Sequence, residues 1–447
     1  MNLTESTENI NPNSSRLDKY YAALGRNYVK KLGRVSRVVG LTIEAAGPDV
    51  SLGELCYIRA DKHAAPVMAE VVGFKEGKIL LMPLGDMSGV GQGGIVEAAG
   101  SGVTVRISDK ILGRVLDGLG NPMDGKGAIT AGDSVSVVNP PPDPLTRSRI
   151  SEPMPLGVKA IDGLLTIGKG QRVGIFAGSG VGKSTLMGMI ARNTRADVNV
   201  IALIGERGRE VREFLERDLG EEGQKRSVVV IATSDKPALV RLKAADVATA
   251  AAEYFRERGK DVLLLMDSLT RYSMAQREVG LAAGEPPVSR GYTPSVFAVM
   301  PKLLERAGNS DKGSITGLYT VLVDGDDLTE PVTDTARGIL DGHIVLSRKI
   351  AGRNQYPAID ILASISRVMG DVITKEHKAA AAEMKKAMAV YADAEDLINI
   401  GAYVAGSSSE IDDAVKRYPE IRKLIMQDIM EKADFDATVA DLKRIME

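Results

Sequence analysis

Eight consecutive residues, Gly178-Ser179-Gly180-Val181-Gly182-Lys183-Ser184-Thr185, carry the most specific chemistry in the chain. Glycines let a backbone approach an anion closely, and successive N–H groups ahead of a helix surround it. A lysine at this spacing reaches the outer phosphates of a nucleotide, and the hydroxyl that follows binds Mg²⁺. The context fits: Arg172-Val173-Gly174-Ile175-Phe176 reads as a short strand before the loop, and Thr185 to Ala191 reads as a helix after it. The first motif position is Ala177 where the pattern has glycine. ATP with Mg²⁺ is the expected ligand pair, and the P-loop residues are its expected binding set.

Phosphate chemistry on a metal needs a second acid. Val262-Leu263-Leu264-Leu265-Met266 is an apolar run ending in Asp267. An aspartate at the carboxyl end of such a strand stands beside a P-loop and shares the metal with Ser184. Hydrolysis further needs a group to orient water. Val198 to Ile204 is another apolar run, followed by Gly205, Glu206 and a dense charge run to Arg226. Most of that run reads as a solvated helix face. Glu206 is the exception, because at a strand's carboxyl end its carboxylate can polarise water for attack on a γ-phosphate.

These residues need a scaffold, and the composition supplies one. At ~150 residues per domain, 447 residues predict about three domains. Hydrophobic residues at 44% and charged residues at 26% are ordinary globular values, with enough apolar material for sizeable cores. A net charge of −2 excludes a globally basic nucleic-acid binder. Cys56 alone cannot form an internal disulfide, which fits a reducing compartment. The polar stretch Met1 to Ser15 does not read as a secretory signal, and no apolar run approaches the ~18 residues of a membrane helix. A cytoplasmic location is expected.

Residues 1–33 form the first segment. Within it Leu17, Tyr20, Tyr21, Leu24 and Tyr28 make a helical stripe flanked by Lys19, Arg26, Lys30 and Lys31. That stripe packs on its own domain, or docks a partner or an acidic membrane surface. Residues 34–107 read as short strands broken by glycine, with Val39, Leu41 and Ile43 alternating, and predict a small closed β-barrel. Asn139-Pro140-Pro141-Pro142-Asp143-Pro144 is a stiff connector. Residues 108–369 alternate strands and helices, the pattern of a parallel sheet covered by helices. Residues 370–447 read as helices, with Gly406 to Ser409 as a loop and Ser409 as a helix cap. The predicted fold is thus an α/β multidomain chain: N-terminal β-barrel, central P-loop core, C-terminal helical domain.

The stretch Gly205-Glu206-Arg207, together with Pro357-Ala358-Ile359-Asp360-Ile361-Leu362-Ala363-Ser364-Ile365-Ser366, resembles the signature of the ATP synthase α/β-subunit family. Pro294 to Gly308, Gly85 to Gly89 and Leu340 to Arg348 are similar to the type III protein-export ATPases within it, flagellar or injectisome. The resemblance implies a RecA-like core in a homohexamer, energising protein export, with the flagellar system adopted and the injectisome as alternative. It implies that Arg367 is an arginine finger serving the neighbouring subunit, and that Tyr356 stacks on adenine. Arg207, Glu210 and Arg271 match charged neighbours of the phosphate site. Implied partners are a coiled-coil central stalk, a stator-like regulator at the N-terminal helix, and an export gate with chaperone–substrate complexes. The implied place is peripheral, at the cytoplasmic face of the secretion apparatus. The loop from Tyr403 to Glu410 is small and serine-rich where ATP synthase is acidic, so a stalk contact there differs in chemistry.

Two other readings compete. A hexameric nucleic-acid translocase shares the core, but near-neutral charge and the absence of tryptophan oppose it, so no nucleic-acid partner is expected. A non-catalytic nucleotide-binding ring subunit is opposed by Glu206, since Lys183, Ser184, Asp267, Glu206 and Arg367 together complete a hydrolytic set. His63, His343 and His377 are scattered, and metal ligation by them is not expected.

Overall fold

The computed structural model describes residues 30–59, 65–323, 327 and 329–447. The helical stripe from Leu17 to Tyr28 and His63 lie outside them. The chain forms two compact units, divided between Ser101 and Gly102.

In the first unit six antiparallel strands close a barrel in the order β1-β2-β5-β4-β3-β6. They are β1 (Leu32–Val39), β2 (Thr42–Ala46), β3 (Leu55–Arg59), β4 (Val67–Lys75), β5 (Lys78–Pro83) and β6 (Ile95–Ala98). Alternation decides the faces: Val35, Ile43, Ala45, Ile58, Val71, Leu81 and Val96 point inward and form one core with Cys56. Register shifts in β1 and β4 bend those strands around it. Val39, Leu41 and Ile43, read from the sequence as one alternating strand, instead span a hairpin, since Val39 pairs with Thr42 across a two-residue turn.

The second unit opens with β7 (Thr104–Ile107), β8 (Val115–Asp117) and β9 (Asp133–Ser136). Thr104–Ile107 was expected within the barrel segment, but it pairs with Asp133–Ser136 in a separate two-stranded sheet. The physical reason is closure: β6 already pairs with both β1 and β3, leaving no edge for a further strand.

The remaining strands are β10 (Arg172–Ala177), β11 (Val198–Ile204), β12 (Ser227–Ala232), β13 (Asp261–Asp267), β14 (Gly308–Asn309), β15 (Ser314–Leu322), β16 (Gly342–Leu346) and β17 (Ile359–Ser366). With β8 they build a nine-stranded sheet, ordered β17-β16-β10-β15-β13-β11-β12-β8, with β14 paired to β15. All pairings are parallel except those of β14 and β17. β11 and β12 are buried along their whole length, as strands covered by helices on both faces must be. The alanine-rich helix Ala238–Arg256 is buried almost throughout, its small side chains letting it lie close against the sheet.

Three helices end the chain: Lys375–Asn399, Ser409–Ile425 and Phe435–Met446. Thr374, Ser408 and Asp434 cap them through side-chain oxygens. The cap of the second is Ser408 rather than the expected Ser409, which is already helical. Met384, Ile421 and Leu442 share one continuous core with Leu156, Ile161, Met187 and Leu265. Among the described residues no helix is long and apolar enough to cross a membrane.

Candidate functional site

The strand order brings the carboxyl ends of β10, β15, β13 and β11 side by side, and a ligand crevice forms at such an edge. The loop after β10 turns sharply through Gly180 (φ 80°) and Gly182 (φ 91°), and the helix Lys183–Asn193 begins at once. Left-handed backbone at Gly182 favours glycine, and it places the free N–H groups of the helix start at the mouth of the crevice.

Lys183 projects from that first turn between two carboxylates. Its Nζ lies 2.5 Å from Asp267 Oδ1 and 3.7 Å from Glu206 Oε1. Thr320 Oγ1 also donates to Asp267 Oδ1, at 2.6 Å, from the middle strand β15. Burial works to lower the Lys183 pKa, but Asp267 and Glu206 outweigh it and hold the ammonium above its usual range. The Glu206 pKa is also raised, to about 7, first by burial and then by Asp267, with Lys183 and Arg271 opposing. Gly205 (φ 70°) lets Arg271 pack closely against the strand end, since a Cβ there would stand 2.9 Å from the arginine's own.

Two buried atoms at this cluster lack a hydrogen-bond partner: Glu206 Oε1 and Arg271 Nε. An acceptor and a donor facing one crevice fit a water and an anionic oxygen. The hydroxyl of Ser184 and the carboxylate of Asp267 are hard oxygen donors of the kind Mg²⁺ prefers. Among the described residues no group of three or more His, Cys, Asp or Glu side chains converges to hold a cation alone. A divalent ion here would complete its shell from phosphate and water oxygens, as Mg²⁺ commonly does.

Beyond the loop a cleft of about 430 Å³ opens, lined among others by Gly182, Thr185, Met189, Tyr356, Gln427 and Ile429. The Tyr356 ring faces Gly182, where a Cβ would meet it at 3.6 Å. One wall comes from the C-terminal segment. Gln427 Oε1 accepts from Lys159 N at 2.9 Å, its Nε2 donates to Gly157 O at 3.0 Å, and its backbone N donates to Tyr356 O at 3.0 Å.

The P-loop residues, Lys183, Ser184, Asp267, Glu206 and Tyr356 therefore gather at one crevice. Arg207 does not join them: its side chain is 76% exposed and pairs with Glu210 at 3.0 Å. Arg367 is far away. Its backbone N donates to Asp341 O, and the Asp341 carboxylate receives Arg172 N, so Arg367 sits level with the first residue of β10. The phosphate loop starts beyond the last, five residue steps or ~17 Å along the strand. Sequence reasoning missed Thr320 and Gln427. Strand order would have revealed Thr320; nothing local marks Gln427.

A glycine-rich cradle at the carboxyl edge of a parallel sheet, with a lysine held between two strand-end carboxylates, defines a P-loop nucleotide-binding ATPase. Residues 35–100 match the ATP synthase alpha/beta family beta-barrel domain, 157–366 that family's nucleotide-binding domain, and 373–444 the T3SS EscN ATPase C-terminal domain. The chain is 56% identical to the flagellum-specific ATP synthase of Bacillus subtilis, over 92% of this chain and 94% of that one. It is 52% identical to the type 3 secretion system ATPase of Xanthomonas euvesicatoria, over 93% of each. A solved structure of the assembled ATPase EscN with its central stalk EscO, from the type III secretion system of enteropathogenic E. coli, superposes with a TM-score of 0.86. That chain is 47% identical and is covered completely, by 93% of this one. The chain belongs to the ATP synthase alpha/beta family, in the branch of the flagellum-specific and type III secretion ATPases.

Proposed function

We propose that this chain hydrolyses ATP in a homohexameric ring and so energises protein export through a flagellar type III apparatus. The observation that carries the hydrolytic reading is the convergence of Lys183, Asp267 and a Glu206 oxygen free of any hydrogen bond on the loop before the helix Lys183–Asn193. In this reading the backbone N–H groups from Gly178 to Thr185 bind the phosphates, and Lys183 leaves Asp267 to neutralise the outer ones. Ser184 and Asp267 hold Mg²⁺, which supplies Lewis-acid polarisation of the phosphate oxygens. Glu206 holds the attacking water, and Tyr356 stacks on the base. Arg367, remote from its own phosphate loop, serves the next copy in the ring.

A purified ring should turn over ATP and lose at least ~100-fold in rate on Glu206→Gln while still binding nucleotide. A rate within threefold of the parent would remove Glu206 from the mechanism.

The stalk bound by the EscN relative supports a coiled-coil stalk partner here. A stator-like regulator at the N-terminal segment, an export gate and chaperone–substrate complexes complete the proposed machinery, at the cytoplasmic face of the secretion apparatus. The Xanthomonas relative favours service in an injectisome as the second reading. Affinity purification from the native cell separates the two, by recovery of flagellar or of virulence chaperone–substrate pairs.

A further inference from the structure

The segment from Ser347 to Pro357 spans the phosphate loop from one end to the other. At its start the Arg348 guanidinium covers Gly178, where a Cβ would lie 2.9 Å from it. At its end the Tyr356 ring covers Gly182. Between them runs the five-residue helix Arg348–Gly352, followed by Asn354 with a φ of 55°. So short an element has little hydrogen bonding of its own to hold it in place.

Besides the backbone bonds near its ends, from Ser347 N to Ala358 O and from Gln427 N to Tyr356 O, what holds it is one acidic side chain on the C-terminal helix Lys375–Asn399. Arg353 donates to both oxygens of Glu395, at 2.6 and 2.9 Å, and Lys349 Nζ stands 3.8 Å from the same carboxylate. Among the described residues, both ion pairs of the segment end on Glu395. Its side chain is only 15% exposed, against 43% for Arg353. One helical turn earlier, Tyr391 stacks on Tyr418 of the next helix, centroids 3.6 Å apart and planes within 7°. That stack fixes the helix against its neighbour, so the carboxylate is presented from a rigid base. A fork-to-fork arginine pair fixes direction as well as distance.

We infer that Glu395 is a positioning residue for nucleotide binding: through Arg353 it clamps the Ser347–Pro357 segment over the phosphate loop and sets the place of Tyr356. Glu395 touches no substrate. Its loss leaves the phosphate cluster intact, so it weakens capture of the nucleotide and spares the chemical step. The inference rests on the ATP-hydrolysing reading, and the test separates the two.

The chain contains no tryptophan, so Tyr356→Trp installs a sole indole whose emission follows nucleotide binding without any hydrolysis. In that background Glu395→Gln should weaken the Kd for ATP about fivefold, as loss of a partly exposed ion pair allows. In the otherwise unaltered ring, Glu395→Gln and Arg353→Gln should each raise the KM for ATP about fivefold with kcat within twofold. The double variant should be no worse than either single one, because both break the same contact. Additive effects, an unchanged KM, or a fall confined to kcat would overturn the clamp. A ring that never turns over ATP but shows the fivefold Kd change keeps the clamp and loses the hydrolytic reading. A ring that turns over normally with an unchanged Kd does the reverse.

Discussion

At the residue scale the site turns on Glu206. Burial and Asp267 raise its pKa to about 7, while Lys183 and Arg271 restrain the rise. A carboxylate that orients water works only when ionised, and the ionised fraction grows with pH. The kcat/KM for ATP should therefore fall by about tenfold per unit as pH drops below about 7, because kcat/KM reports the free enzyme. Glu206→Gln should flatten that limb. A profile of kcat/KM against pH for both rings checks the sign, and a parent profile level down to the ordinary glutamate range would exclude Glu206 as the titrating group. Sequence made this residue legible, since an acid at a strand's carboxyl end near a P-loop has few other uses. The raised pKa was not legible, because it depends on β13 and β11 pairing and bringing Asp267 alongside.

At the element scale, the cleft wall and the turn that opens the helix Lys159–Leu164 are joined by residues distant in sequence. Gln427 bonds Lys159 and Gly157 across separations of 268 and 270 residues. No periodicity or motif can report such a pair, whereas the strand–loop–helix around Lys183 is local and was fully readable. The same limit explains β7: Val105 and Ile107 alternate as any half-buried strand does, and only barrel closure decides their partner. Gln427→Ala would leave the Lys159 N–H and the Gly157 carbonyl without their side-chain partner in a buried setting. That should cost about 2–3 kcal/mol, read as a lower urea midpoint at unchanged slope. ATP binding should weaken alongside, since the Gln427 side chain lines the same cleft as Tyr356. An unshifted midpoint would show that the segment is held by its other contacts.

At the scale of the whole molecule, barrel, parallel sheet and terminal helices were all legible, because each has its own hydrophobic period. Less legible was the shared core that joins Met384, Ile421 and Leu442 to the sheet-covering residues. Contacts between helix faces leave no local trace in sequence. The largest consequence lies in Arg367, which stands at the opposite end of β10 from its own phosphate loop. Arg367→Ala should lower turnover by ~10³-fold or more while leaving ATP affinity nearly unchanged. Equal turnover in the parent and variant rings would end its assignment as a finger.

In the proposed ring, every active centre is the joint property of two chains. A population of Lys183→Ala chains should be inactive, and so should a population of Arg367→Ala chains, yet each carries the half that the other lacks. Mixed one to one and reassembled, about a quarter of the head-to-tail junctions pair an intact lysine with an intact arginine. Activity should reappear from two inactive preparations, and an excess of either variant should poison the parent in proportion to its share.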